Sequence, residues 1–186
     1  MQLVIGAAVA AAIVVVILIW LIGSYNGLVR RRTQVDNAWA QVEVQLTRRH
    51  DLIPNLVETV KGYAAHERET FDAVTRARTA ALGASGPADR AEAEATLGGT
   101  LKTLFAVSEA YPELKANTNF LSLQQELATT EDKAAYARQY YNDAVLGLNT
   151  KVATFPTVLI AGMLGFGARE FFRAPEGQSG PISVRF

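Results

Sequence analysis

The sequence predicts an all-α protein: a single N-terminal transmembrane helix followed by an elongated antiparallel helical bundle or coiled-coil-like hairpin. Three observations carry this. No charged side chain occurs before Arg30, and Leu3 to Gly23 is almost wholly Leu, Ile, Val and Ala. From Val35 onward, apolar residues recur at alternating steps of four and three, the seam of a long helix. Breaker clusters at Gly83–Pro87 and at Tyr111–Glu113 then divide the rest into further helices. The expected layout is an anchor over 1–24, a cytoplasmic long-helix bundle over 25–155, a short apolar amphipathic segment over 156–173 and a tail over 174–186.

At about 1.5 Å per residue, Leu3 to Gly23 reaches about 30 Å, the thickness of a bilayer's hydrocarbon. Trp20 and Tyr25 suit the interfacial aromatic belt. A cleaved signal peptide would carry a basic leader and a shorter apolar core, whereas this chain opens Met-Gln. Arg30, Arg31 and Arg32 follow the apolar stretch and no positive residue precedes it, so the positive-inside rule puts the N-terminus outside and the rest in the cytoplasm. These arginines are also candidate contacts for anionic lipid headgroups. Gly6 and Ala10, with neighbouring alanines, form a small-residue face that permits close approach of a second transmembrane helix.

The seam Val35, Trp39, Val42, Leu46, Arg49, Ile53, Leu56, Val60, Tyr63, Glu67, Val74 and Ala81 predicts one helix over about 25–82. Pro54 lies inside it and predicts a kink, because the phase is unchanged on either side. Arg49 and Glu67 are polar entries in the seam that fix register or partner choice. Gly83 stops this helix and Pro87 starts a second, over 88–110, with Leu97, Leu101, Leu104, Ser108 and Tyr111 in phase. A third runs over 118–153, with a seam of Phe120, Leu127, Ala134, Tyr141, Leu148 and Phe155, each seven apart. The second and third helices sum to about the length of the first, so a long rod with a broken return arm is one arrangement and a folded bundle is the other.

After Pro156 comes an apolar stretch too short to span a bilayer, then Phe166, Phe171 and Phe172. It reads as a short amphipathic helix on the bilayer or as a cap against protein, and these phenylalanines are candidate oligomer or partner contacts. Gly162, Gly165 and Gly167 follow a proline rather than a strand, so they read as a tight joint and not a dinucleotide loop. In the tail, Ile182 to Val184 alternates briefly, the weak mark of an edge strand.

Composition narrows function. Lys+Arg is 18 and Asp+Glu is 18, a neutral balance unlike that of a general nucleic-acid binder. With no cysteine there are no disulfides, Cys-ligated metals or thiol catalysis. Neither His50 nor His66 has a Glu three residues earlier, and no phosphate loop or Gly-x-Ser-x-Gly elbow occurs. The pairs Glu67/Glu69 and Glu92/Glu94 interleave with Arg68 and Arg90, which reads as a solvated, salt-bridged face. The densest polar spot is Arg48-Arg49-His50-Asp51. Arg48 and Arg49 are candidate partner contacts, or they pair with acidic residues of the return arm.

The stretches Tyr25-Asn-Gly-Leu-Val29, Val35-Asp-Asn-Ala-Trp39 and Arg48-Arg-His-Asp-Leu-Ile-Pro-Asn-Leu-Val57 resemble the amino-terminal signature of the LemA family. Glu109-Ala-Tyr-Pro-Glu-Leu-Lys-Ala116 resembles its middle signature, and Tyr141-Asn142, Asn149, Phe155-Pro156 and Phe166 resemble its last. The resemblance implies an all-helical cytoplasmic bundle on one membrane helix, without an agreed chemistry or catalytic residues to carry over. It also implies association with membrane organisation, including that of magnetosome membranes, and with membrane quality-control proteases. The expected function is a non-enzymatic, membrane-anchored scaffold of the bacterial inner membrane that self-associates and organises or shapes the membrane. The alternative is an adaptor or accessory subunit of a membrane quality-control protease complex. Expected partners are membrane lipids, further copies of the chain, and a membrane protease or other integral protein; no cofactor, metal or nucleic acid is expected.

Overall fold

The computed structural model describes residues 1–173, and these fold into α-helices with no strand among them. The elements are α1 (Gln2–Lys61), α2 (Arg68–Gly83), α3 (Gly86–Ser108), α4 (Pro112–Lys115), α5 (Thr118–Ala153) and α6 (Val158–Ala161). The expected edge strand at Ile182 to Val184 lies outside the described residues.

α1 opens with the apolar stretch. Its best window has a mean hydropathy of 3.0, is long enough to cross a membrane, and has no residue buried within the chain. Further along, burial follows the three-four rhythm: Val35, Ala38, Val42, Leu46, Arg49, Ile53, Leu56 and Val60 all face inward.

The helix expected over 25–82 is two helices, and the break falls after Lys61 rather than at Pro54. Gly62 is a poor helix former at the break. Past it, the Tyr63 and Ala64 N–H groups both turn back to the Val60 carbonyl, at 3.0 and 2.9 Å, and Ala64 is buried. Tyr63, expected on the seam, is exposed as a result.

The chain forms two compact units, and both draw on α1 and α5. In one, Trp39–Asn142 with residues 170–173, α2 and α3 are linked through Ala84 and Ser85, with Gly86 at φ +82° and Pro87 in the first turn of α3. A connection this short makes the two helices antiparallel neighbours. Their inner faces meet Ile53, Leu56 and Val60 of α1 and Phe120, Leu123 and Leu127 of α5 in a common core. α5 buries Phe120, Leu123, Leu127, Thr130, Ala134, Ala137 and Tyr141, again at steps of three and four. Trp39 stacks beside Tyr141, with ring centroids 5.2 Å apart, and Phe172 closes the cluster 6.2 Å from Trp39. The Asn142 amide holds the extended backbone of Phe172 from both sides: Nδ2 donates to its carbonyl at 3.1 Å, and Oδ1 accepts from its N–H at 2.8 Å.

The other unit comprises Met1–Ala38 and Asp143–Arg169. Here Leu28, Val35 and Ala38 of α1 are buried, with Ala144, Val145 and Leu148 of α5. Gly147 leaves room for Arg31, since an added Cβ would lie 2.8 Å from its Nη1. Arg169 Nη2 donates to Asp36 Oδ1 at 2.9 Å, and Asn149 clamps the Arg169 backbone as Asn142 clamps Phe172.

The amphipathic helix expected over 156–173 is instead one turn, α6, followed by a joint and an extended strap. The joint is a Schellman closure. The Phe166 N–H reaches the Ala161 carbonyl at 2.9 Å, the Gly165 N–H reaches that of Gly162 at 3.1 Å, and Gly165 has φ +75°. A Cβ at Gly165 meets no neighbour, so the left-handed backbone alone selects glycine there. Gly165→Ala is therefore expected to cost about 1 kcal/mol, the penalty of an L-residue in that region, and to speed hydrogen exchange at Phe166. Gly167→Ala, with open space and no positive φ, is expected to leave both unchanged.

Candidate functional site

Arg49 and His50 adjoin on the inward face of α1. A long helix with two polar residues in its seam has to find them partners, because a buried polar group left unpaired costs more than its hydrogen bond returns. The partner is Glu94 of α3, 2 % exposed. Arg49 Nη1 donates to Glu94 Oε2 at 2.9 Å, and His50 Nε2 donates to Oε1 at 2.7 Å. Both carboxylate oxygens are thus taken by groups from one turn of α1.

The network extends to α5. Arg49 Nη1 lies 3.1 Å from Glu131 Oε2, close enough for charge attraction although not aligned as a hydrogen bond. Arg138 Nη2 donates to the other oxygen, Oε1, at 3.1 Å, and its guanidinium lies 5.7 Å from the Phe172 ring centre. Gly98 of α3 leaves room beside Arg49, whose Nη2 is 3.6 Å from where a Cβ would stand.

Pro54 belongs to the same site. A proline has no N–H, so the carbonyl four residues earlier loses its helical partner. That carbonyl is His50's, and Arg78 of α2 takes it, Nε donating at 2.8 Å. α1 passes through Pro54 as a continuous helix because another helix supplies the missing donor.

Histidine beside a carboxylate is also a part of acid–base machinery, but His50 and Glu94 are sealed in, 1 % and 2 % exposed. Among the described residues no group of three His, Asp or Glu is placed to hold a metal ion. The arrangement locks helices together.

The other expected site residues are scattered. Gly6 and Ala10 lie exposed on α1, and nothing approaches a Cβ at Gly6. Arg30, Arg31 and Arg32 are exposed, though Arg31 lies across Gly147 and Arg32 pairs with Asp36 at 4.0 Å. Arg49 is turned inward, which leaves Arg48 and Asp51 as the outer half of its cluster. Arg48 and Asp51 line an open cleft of about 430 Å³ with Leu52, Gln125, Glu126 and Lys133. Phe166 and Phe172 are buried within the chain, and Phe171 is half-buried under Arg173. The expectation of a solvated face missed Glu94. A step of three back from Leu97 lands on it, and that was the available signal.

The family model described as "LemA family" matches residues 38–186, which include every residue of this network. The chain belongs to the LemA family. A LemA protein of Metamycoplasma hominis is 26 % identical over 159 residues, covering 83 % of this chain and 71 % of that one. The magnetosome protein MamQ 2 of Paramagnetospirillum magneticum is 26 % identical over 195 residues, covering 91 % and 72 %. MamQ of Magnetospirillum gryphiswaldense is 23 % identical over 201 residues, covering 94 % and 74 %. Arg49, His50 and Pro54, all within the matched residues, thus have a physical reading: two partners for Glu94 and a carbonyl left open for Arg78.

Four outcomes follow for the full-length protein in detergent, unfolded with urea and followed by helical circular dichroism. Glu94→Ala leaves two buried donors without their acceptor and is expected to cost about 3 kcal/mol. Glu131→Ala, at a carboxylate 40 % exposed, should cost under about 1 kcal/mol. Arg78→Ala orphans the His50 carbonyl and should cost about 1–2 kcal/mol. In a Pro54→Ala background residue 54 regains its N–H, so the same change should cost about 1 kcal/mol less, and a double-mutant cycle reads the difference.

Proposed function

We propose that this LemA-family protein is a non-enzymatic, membrane-anchored scaffold of the bacterial inner membrane that self-associates and organises or shapes the membrane. The observation that carries the reading is the contrast along α1. Its apolar stretch over residues 3–19 has no cover within the chain, while its second half is occupied by a sealed lock. An apolar face left without cover needs lipid or another helix. The chemistry-bearing residues are spent on holding helices together. The three-four burial of α1 and α5 supports an antiparallel bundle with coiled-coil-like seams.

The MamQ relatives are named as magnetosome proteins, which supports a role at membranes. The placement of Arg30, Arg31 and Arg32 just after the apolar stretch supports an N-terminus outside. The open space at Gly6 supports packing of copies through the Gly6/Ala10 face.

A second reading rests on the cleft around Arg48, Asp51 and Lys133. It offers charges of both signs to a protein partner, as an accessory subunit of a membrane protease complex would.

One experiment separates the two. The full-length protein, extracted with its lipid in polymer discs, is weighed by native mass spectrometry. The scaffold reading expects a discrete homo-oligomer that shifts to smaller mass with Gly6→Leu and Ala10→Leu. A monomer that leaves vesicle shape unchanged overturns it. A particle with a second polypeptide, lost in Arg48→Glu, establishes the accessory reading instead.

A further inference from the structure

One exposed apolar surface is not part of the α1 window. It lies in the unit made of Met1–Ala38 and Asp143–Arg169, where α5 ends and α6 turns. Phe155 is 75 % exposed, Leu159 66 % and Met163 87 %, with Val158 and Leu164 also exposed beside them. α6 is two-faced: Thr157 and Ala161 point inward, while Val158 and Leu159 point out. No charged residue occurs between Lys151 and Arg169. Clustered large apolar side chains left exposed mark a surface that contacts lipid or protein.

Its position says what covers it. Phe166, at the end of the joint, meets Tyr25 of α1 edge-on, with ring centroids 5.8 Å apart. Tyr25 stands just past Gly23, where the apolar stretch of α1 stops. Burial on α1 sets in at Trp20 and Leu21 and is complete at Ser24 and Leu28. The α5–α6 cap therefore lies against the last turn of the apolar stretch, at the depth where a membrane-crossing helix passes through the headgroups.

We propose that residues 155–164 form a second membrane contact, an apolar cap that enters the headgroup–acyl boundary beside the end of the α1 span. Interfacial elements of this kind sit about 5–10 Å into that boundary, and exposed Phe, Leu and Met side chains are what they insert. Lys151, exposed at the end of α5, borders the uncharged stretch and suits anionic headgroups, while Arg169 on its other side is paired with Asp36. The cap rests on the reading that the α1 stretch spans a bilayer.

The chain has no cysteine, so single labels are unique. Leu159→Cys, Met163→Cys, Val14→Cys within the apolar stretch and Glu43→Cys on the exposed face of α1 each carry an environment-sensitive fluorophore. The full chain is reconstituted into vesicles of phosphatidylcholine and phosphatidylglycerol. Labels at Leu159 and Met163 are expected to be quenched by brominated phosphatidylcholine, with an iodide quenching constant about threefold below that at Glu43. Iodide access equal to that at Glu43 overturns the cap and leaves it in water. Shielding from both quenchers also overturns it, and assigns the patch to contact between copies. If the Val14 label escapes the brominated lipid, the span reading fails, and the cap with it.

Discussion

The carboxylate of Glu94 is the point on which the larger unit turns. A charged group with 2 % exposure is tolerated only where its hydration is replaced, and here α1 replaces it with two donors from adjacent residues. Those donors in turn fix how α1 is rotated and which of its turns faces α3. Arg49 reaches on to Glu131, Glu131 to Arg138, and Arg138 to the ring of Phe172. Hydrophobic seams alone tolerate sliding by a heptad; a single acid met by an arginine and a histidine does not, because any other register buries all three unpaired.

The seam was legible where side-chain size dictated it. Val35, Val42 through Val60 and Phe120 through Leu148 are inside at the spacing that their periodicity demands, whereas Trp39 is half-buried beside an inward Ala38, and Phe155, expected as the next step of the seam, lies past the end of α5 and is exposed. The periodicity ran past the end of α1 because Val74 and Ala81 remain in phase, yet they belong to α2, which has an inward face of its own in Phe71, Val74, Ala77 and Ala81. Glycine at position 62 carried the information about the break, but one poor helix former weighs little against a dozen residues in phase. Pro54, by contrast, lies inside a helix that continues past it. A proline reads as a local defect, and whether it bends a helix depends on a donor that can come from far along the chain, here Arg78.

The lock was half legible. Arg49 stood out as a cation in an apolar row, whereas Glu94 looked solvated because its sequence neighbours Glu92 and Arg90 are charged. Glu92, two residues away, points to a different face and is exposed, while Arg90, a full turn away on the same side, is half-buried, so local charge density was a poor guide and phase a good one. The strap was not legible at all. Asn142 and Asn149 hold backbone groups of Phe172 and Arg169, and backbone recognition leaves no pattern in the side chains recognised.

The partnership between Pro54 and Arg78 has a bearing on how the protein is born. Translation delivers the rod from its amino end, and the apolar half of α1 is committed to its surroundings early. When residue 54 emerges, the donor for the His50 carbonyl is still unmade. Until α2 emerges and docks, that carbonyl is open to water and the helix has a soft joint at the proline. The joint stiffens when the hairpin docks, so the rigidity of the first helix at Pro54 is a late event of synthesis, decided by residues that come after it.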